Sequence, residues 1–181
     1  MNTMHEKQLN HRTIRFFKDQ PVPATLNEQL MEVMNRTATS MGMQFASVVR
    51  ISDPDKKQAL ADICKQAYVA DAPELLVFIV DVRRNAKIAE AKGYEGENAR
   101  SMDFFLQGFT DAALMAQNLT NAVEAADLGA VYLGSILNDQ RAVIELLGLP
   151  ELTMPVVGLA YGLPGRSSRI ETANGCKFEV V

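Results

Sequence analysis

The sequence predicts a single α/β domain in which helices cover both faces of a mixed β-sheet. Strand-like and helix-like stretches alternate along the chain, which is typical of such layered domains. Residues 74–80, ELLVFIV, are almost continuously apolar and rich in β-branched residues. This pattern indicates a strand in the middle of a sheet, buried on both faces. The longest helical pattern ends near residue 128, and its apolar residues recur at spacings of three and four.

Residues 110–135 form the stretch around which we expect the domain to be organised. The many alanines allow close approach of neighbouring backbones, so this helix should be buried on most sides. Gly129 is expected to end the helix in the left-handed conformation. A strand at 130–133 follows, and Gly134 and Ser135 expose backbone as needed beside a flat ligand. A narrower polar stripe also runs along the helix, formed by Gln117, Thr120, Asn121, Glu124 and Asp127.

The remaining elements follow from local signals. Pro21 and Pro23 exclude a helix immediately before residue 24. Asp53 and Pro54 are suited to the N-cap and the first position of a helix. In chain order, helices are predicted at 1–10, 24–36, 53–66, 82–92, about 98–128 and 139–147, and strands at 45–51, 74–80, 130–133, 153–161 and 177–181.

The last predicted strand, 177–181, is separated from the core strands by an arm. Its pattern leaves two pairings open, one with a neighbouring subunit and one at the edge of its own sheet. No repeat, low-complexity segment or linker divides the chain. We therefore expect a core over residues 1–164 and a C-terminal arm over residues 165–181.

Composition narrows the class of protein. The chain has 181 residues, of which 48% are hydrophobic and 22% charged, as expected for one globular domain with a substantial core. A net charge of −4 without a long basic run predicts no nucleic-acid or anionic-membrane partner. Neither a membrane span nor a secretory signal is recognisable, so we expect a cytoplasmic protein. Cys64 and Cys176 are then expected to be free thiols rather than a disulfide.

Several polar residues are candidates for binding a ligand. His11, Arg12, Thr13 and Arg15 cluster near the N-terminus, and the forked guanidinium donors suit a phosphate or an anionic ring edge. The alternative is ordinary surface charge near a helix end. Further polar candidates, each with a purely structural alternative, are Thr39 and Ser40 in a small-residue loop, Gln66 at a helix end, and Arg166 and Arg169 after the last core strand.

Common catalytic and nucleotide-binding motifs are missing. The sequence contains no GxGxxG, GxxxxGK[ST], GxSxG or HExxH motif and no Cys/His zinc spacing. The two histidines, His5 and His11, both precede the first core strand, which makes a Ser-His-Asp triad hard to build. If the protein is an enzyme, a cofactor should carry the reaction.

Three segments in this order resemble the FMN-dependent nitroreductase family. They are HRTIRFF, TATSMGMQ, and AQNLTNAVEAADLGAVYLGS ahead of PVVGLAYGLP. Within the family, the branch of NADPH-using flavin reductases and oxygen-insensitive nitroreductases is the most similar. The resemblance covers residues 8–164. It implies an α+β, three-layer sandwich that dimerises through long central helices, with FMN held in clefts between the two subunits.

The resemblance also implies how FMN would be held. His11, Arg12, Thr13 and Arg15 would contact the phosphate, the ribityl chain and the pyrimidine side, and Thr39 or Ser40 would come from the partner subunit. Gln66 would be a further contact. Tyr132, Leu133, Gly134 and Ser135 would lie against the isoalloxazine, with backbone amides directed at its polar edge. Arg169 would be a second phosphate anchor, with Arg166 in place of the basic residue that the branch has where this chain has Ser167.

The implied activity is that of a homodimeric oxidoreductase. It would pass hydride from NAD(P)H through FMN to nitroaromatic, quinone or flavin acceptors by a ping-pong mechanism, with no side chain acting as acid or base. The branch has a longer C-terminal extension that helps form the nicotinamide-nucleotide site, whereas this sequence ends at Val181. The resemblance therefore leaves open whether NADH or NADPH is the preferred electron donor, and it predicts weaker flavin binding. The alternative is a flavin-binding protein of the same fold that has lost redox turnover.

Overall fold

The computed structural model describes residues 4–94 and 97–165. Its helices and strands lie at the predicted places, although the long helix begins four residues later than expected. Residues 166–181, which hold the predicted last strand and nearly all of the predicted arm, lie outside the described residues. The helices are α1 (Met4–Leu9), α2 (Ala24–Asn35), α3 (Pro54–Cys64), α4 (Arg83–Ala91), α5 (Met102–Ala125) and α6 (Gln140–Leu147), and the strands are β1 (Ala46–Arg50), β2 (Glu74–Asp81), β3 (Gly129–Leu133) and β4 (Thr153–Gly162).

The four strands form one sheet in the order β1-β2-β4-β3. β2 lies inside the sheet, as its apolar sequence predicted. Neighbouring strands all run antiparallel, and in the described part of the chain parallel pairing is limited to the isolated bridge between Thr13 and Ala130. The alternation of strands and helices thus predicted the layers but not the strand directions. The reason is that helical connections such as α3 and α6 here join antiparallel neighbours.

Helices cover both faces of the sheet, as predicted, and a separate hydrophobic core lies on each face. Because side chains alternate between the faces of a strand, consecutive residues of β2 enter different cores. Leu76, Phe78 and Val80 pack with residues of α2 and α5 in the first core. Leu75, Val77 and Ile79 pack with residues of α3 and α6 in the second core. The result is a helix–sheet–helix sandwich.

The long helix α5 lies directly on the sheet. The Ser101 hydroxyl caps its N-terminus by accepting a hydrogen bond from the Phe104 N–H. A Cβ added at Gly108 would lie 2.8 Å from both the Phe45 carbonyl oxygen and Val80 Cγ1, so glycine is required for this close approach. The opposite side of α5 exposes large apolar residues, so the helix is less buried than predicted; these are Met102, Leu106, Phe109 and Leu114.

Gly129 does not end α5, contrary to the prediction. The helix ends at Ala125, Asp127 adopts the left-handed conformation with φ +60°, and Gly129 is the first residue of β3. A Cβ on Gly129 would lie 2.7 Å from the Cβ of Ile14. Glycine is therefore needed here for close packing against Ile14 rather than for turning the chain.

The segment after α1 lies along the outer edge of β3. Thr13 forms a parallel bridge with Ala130, and the Ile14 N–H donates to the Ala130 carbonyl over 2.9 Å. Phe17 continues the attachment with an antiparallel bridge to Pro164. The polar residues that alternate with Ile14 are thereby fixed at this edge of the sheet. In the described ranges, no helix combines the length and the apolar character that crossing a membrane requires.

We predict that Gly129→Ala will destabilise the fold because the new methyl group must push against Ile14. The expected loss is about 1–3 kcal/mol of unfolding free energy, as for other overpacked cores, and urea denaturation measures it. Gly134→Ala is the matched control, since a Cβ there meets no atom within 4 Å. Equal stability of the two variants would contradict the proposed packing.

Candidate functional site

A cleft with a volume of about 130 Å³ opens where the segment after α1, the C-terminal half of α5 and β3 meet. It brings together polar residues from distant parts of the sequence, among them many of the predicted site residues. Its lining consists of His11, Thr13, Arg15, Gln66, Tyr68, Thr120, Ala130, Val131 and Tyr132.

Gln66 is held firmly in this cleft. α3 ends at Cys64, Lys65 turns the chain in the left-handed conformation with φ +55°, and Gln66 follows in extended conformation. Its side-chain Oε1 lies 2.9 Å from the Tyr68 hydroxyl and 3.0 Å from the Ser135 hydroxyl. Both hydroxyls can donate to the same amide oxygen, so the amide is held from two sides.

Tyr68, which sequence reasoning did not identify, connects Gln66 to Arg15. Burial raises the pKa of the Tyr68 hydroxyl above its ordinary value of 10, and the hydrogen bond from Arg15 acts in the opposite direction. Tyr68 is therefore neutral at physiological pH and retains its hydroxyl proton for donation. A cation and a neutral donor stand side by side at this end of the cleft.

The polar stripe of α5 forms the other wall. The Tyr132 hydroxyl lies 2.9 Å from Thr120 Oγ1 and 3.2 Å from Gln117 Oε1, and burial raises the Tyr132 pKa. One turn further along the helix, Glu124 Oε1 lies 2.6 Å from His11 Nδ1. The sequence predicted the polar stripe. It did not predict the partners of the stripe, because tertiary packing determines which residues lie opposite it.

The other predicted residues of this region differ in what they can contribute. Gly134 is exposed and open, so a ligand could approach its backbone. The Leu133 side chain is buried in the second core, which leaves its backbone as the group that could contact a ligand. Arg12 is exposed and does not line the cleft. Arg166 and Arg169 lie outside the described residues.

Cys64 lies beneath Ser135 as a buried free thiol, as expected. Burial raises the pKa of the thiol, and the hydrogen bond with Ser135 partly offsets this effect. A protonated, buried thiol is a poor nucleophile, so Cys64 contributes to packing rather than to chemistry. Cys176 lies outside the described residues.

Thr39 and Ser40 are not part of the cleft in the same subunit. The Ser40 N–H donates to Asp111 Oδ1 over 2.8 Å, and the Phe45 N–H donates to Asp111 Oδ2 over 3.0 Å. Asp111 precedes Thr120 by nine residues on α5, or about 13 Å along the helix axis. The loop that carries Thr39 and Ser40 therefore lies well along α5 from the cleft.

The buried carboxylate of Asp111 holds this loop in an unusual conformation. Met41 and Gln44 have φ values of +49° and +52°, which cost about 1–2 kcal/mol each for residues other than glycine. The Asn85 side chain also donates to the Met43 carbonyl over 2.7 Å. Sequence reasoning missed Asp111, although its position beside Ala112 on the apolar face of α5 was a signal of burial.

Taken as chemistry, the cleft favours a ligand that is rich in hydrogen-bond acceptors. Arg15, the Thr13 hydroxyl and the amide nitrogen of Gln66 can donate, and the Tyr132 ring adds an aromatic surface. The described residues contain no group of three or more His, Cys, Asp or Glu side chains suited to a metal ion.

Comparison with known proteins identifies the family. A sequence model of the Nitroreductase family matches residues 9–163, which include the whole cleft. The chain belongs to the nitroreductase family. The recognition made from the three sequence segments is thereby confirmed.

Individual relatives agree with this membership. An NADPH-dependent oxidoreductase of Staphylococcus saprophyticus is 36% identical over 156 residues, which are 86% of this chain and 62% of the relative. The NfrA1 nitroreductase of Bacillus subtilis has a TM-score of 0.88 at 36% identity, covering 92% of this chain and 68% of that one. The NADPH:FMN oxidoreductase of Vibrio harveyi, solved with NAD+, has a TM-score of 0.87 at 31% identity, covering 98% and 79%. The nitroreductase fold is confirmed, and the chain spans less than two thirds of the S. saprophyticus relative.

We predict that Asp111→Ala will loosen the loop around Thr39 and Ser40. Two backbone N–H groups lose their acceptor, one of them buried, so the unfolding free energy should fall by about 2–4 kcal/mol. Amide hydrogen exchange should accelerate at Ser40 and Phe45.

Asp103→Ala is the control on the same helix, because Asp103 is exposed and bonds to the Gln107 side chain. The Asp103→Ala substitution should lower the unfolding free energy by less than about 1 kcal/mol. Unchanged exchange at Ser40 in the Asp111→Ala variant would show that the carboxylate does not hold the loop.

Proposed function

We propose that this nitroreductase-family chain is an FMN-dependent oxidoreductase that uses NAD(P)H to reduce nitroaromatic, quinone or flavin acceptors by a ping-pong mechanism. The observation that carries the proposal is the convergence of Arg15, Gln66 and Tyr132 on one cleft in a chain of this family. The V. harveyi relative is an NADPH:FMN oxidoreductase, which supports FMN as the cofactor. The cytoplasm, where NAD(P)H is available, is the compartment we propose.

The cleft fits part of an FMN molecule. FMN presents ring carbonyl and nitrogen acceptors and a phosphate, and the donors around Arg15 and Gln66 match such acceptors. A volume of about 130 Å³ is smaller than the roughly 300–1,000 Å³ of complete ligand pockets. The rest of the FMN molecule would lie over the open backbone at Gly134 and against a second subunit.

Bound FMN would supply the redox chemistry, accepting hydride from NAD(P)H and passing two electrons to the acceptor. The protein groups have the tasks of binding and orienting. Arg15 places positive charge near the cleft, and Gln66 and Thr13 would give directional hydrogen bonds. The exposed Gly134 backbone leaves room for flat molecules, which would be selected by stacking more than by specific hydrogen bonds.

A homodimer would complete the site. The exposed apolar side chains of α5 recur at spacings of three and four: Met102 is 68% exposed, Leu106 55% and Phe109 41%. Such a stripe is typical of a helix that packs against another helix. A second copy paired through α5 could bring its own Thr39 and Ser40 to this cleft, as the family resemblance implied.

The proposed activity is tested by purifying the chain with added FMN and recording its visible spectrum and its oxidation of NADH and NADPH. We expect bound flavin absorbance, and turnover with menadione or a nitrofuran. Flavin absorbance without turnover would favour the alternative of a binding protein. If no flavin is retained at any FMN concentration, the proposed function is wrong.

The proposed dimer is tested by Leu106→Glu, which places a charge in the apolar stripe of α5. We expect a shift from dimer to monomer in sedimentation and at least a tenfold loss of FMN affinity. Ile88→Glu on α4 is the control, since Ile88 is similarly exposed at 50% but lies outside the stripe. A Leu106→Glu variant that stays dimeric would exclude this face as the interface.

A further inference from the structure

The amide oxygen of Gln66 accepts hydrogen bonds from two directions inside the protein. The Tyr68 hydroxyl lies 2.9 Å from Oε1 and the Ser135 hydroxyl 3.0 Å from the same atom. Tyr68 is in the turn directly after Gln66, whereas Ser135 follows β3, so two separate elements hold one atom. These two contacts hold the position of the amide, and because hydroxyls can accept as well as donate, its orientation depends on which hydroxyl oxygens are already occupied.

Arg15 favours one direction for the hydrogen bond between Tyr68 and Gln66. A guanidinium group can only donate, so Arg15 occupies the Tyr68 oxygen as an acceptor. The single hydroxyl hydrogen of Tyr68 is then available for Gln66, whose acceptor is Oε1. The Gln66 amide nitrogen, with its two N–H donors, is therefore the atom left for a ligand in the cleft.

We propose that Tyr68 is a positioning residue, which together with Ser135 locks Gln66 so that it presents N–H donors to the cofactor. This inference rests on the proposed function. Tyr68 acts through Gln66, which is the residue that would touch the flavin ring. The chain Arg15–Tyr68–Gln66 also makes the orientation of the amide depend on a permanently charged group.

The locked amide has a consequence for the flavin. Reduction adds electron density to the acceptor atoms of the ring, so fixed N–H donors stabilise the reduced form more than the oxidised form. Loss of the lock should therefore lower the midpoint potential and weaken binding. A residue with a purely structural role would change stability without changing the potential.

Tyr68→Phe removes the hydroxyl and keeps the ring. We expect affinity for reduced FMN to fall about tenfold more than affinity for oxidised FMN, which corresponds to a midpoint potential lower by about 30 mV for a two-electron couple. The readouts are the FMN dissociation constant from flavin fluorescence and a spectroelectrochemical titration. Tyr94→Phe is the matched control, because Tyr94 is 69% exposed and does not line this cleft.

Two further variants separate positioning from folding. Ser135→Ala removes the second donor to Gln66. Either hydroxyl alone still restrains the amide. The loss of FMN binding free energy in the double variant with Tyr68→Phe should therefore exceed the sum of the losses in the two single variants. Gln66→Glu keeps an acceptor for both hydroxyls but replaces the N–H donors, so it should lower the potential at least as much as Tyr68→Phe. Circular dichroism checks that each variant is folded.

The outcomes distinguish this inference from the proposed function. If the wild-type protein binds no FMN, the proposed function fails and the inference falls with it. If the wild-type protein binds FMN and folded Tyr68→Phe has the same affinity and potential, the positioning role of Tyr68 is wrong while the proposed function stands. Simple additivity of Tyr68→Phe and Ser135→Ala would likewise overturn the shared lock on Gln66.

Discussion

The close packing of α5 on the sheet is the constraint on which the rest of the structure depends. Gly108 and the small, fully buried side chains of Ala112 and Ala116 allow the helix to approach the strands closely. Once this face of α5 packs on the sheet, the helical repeat determines the direction in which each of its other side chains points. Asp111 then faces the loop at Ser40, and in the C-terminal half of the helix Thr120 contacts Tyr132 and Glu124 contacts His11.

The site is built from short-range interactions that are fixed before any ligand arrives. The Gln66 amide is held from two sides, Tyr132 contacts Thr120, and His11 contacts Glu124. Preorganised donors avoid the entropic cost of ordering side chains upon binding. In the function we propose, this side of the cleft would hold the cofactor, while the open backbone at Gly134 would leave room for the acceptor.

Local signals in the sequence were sufficient for the elements and for much of the cleft. The apolar run of β2 correctly predicted a central strand, and Asp53 with Pro54 correctly predicted the start of α3. Gly129 was misinterpreted because a glycine required for close packing has the same sequence signal as a helix-ending glycine.

The features that sequence reasoning missed depend on distant partners. Asp111 accepts hydrogen bonds from backbone N–H groups about 70 positions away, and Tyr68 is hydrogen-bonded to Arg15, which is far from it in the sequence. The antiparallel strand order and the faces of the α5 stripe also arise from packing between elements. Thr39 and Ser40 lie away from the cleft of their own chain, because Asp111 holds their loop further along α5.

The attachment of the segment around Ile14 to β3 has a consequence for solubility. β3 is the outermost strand of the described sheet, and exposed strand edges are templates for aggregation. By bonding to Ala130, Ile14 shields part of that edge with the same segment that presents Arg15 to the cleft. Mutations that detach this segment would expose the unpaired edge of β3 and displace Arg15 from the cleft, so aggregation and loss of the cleft geometry should occur together.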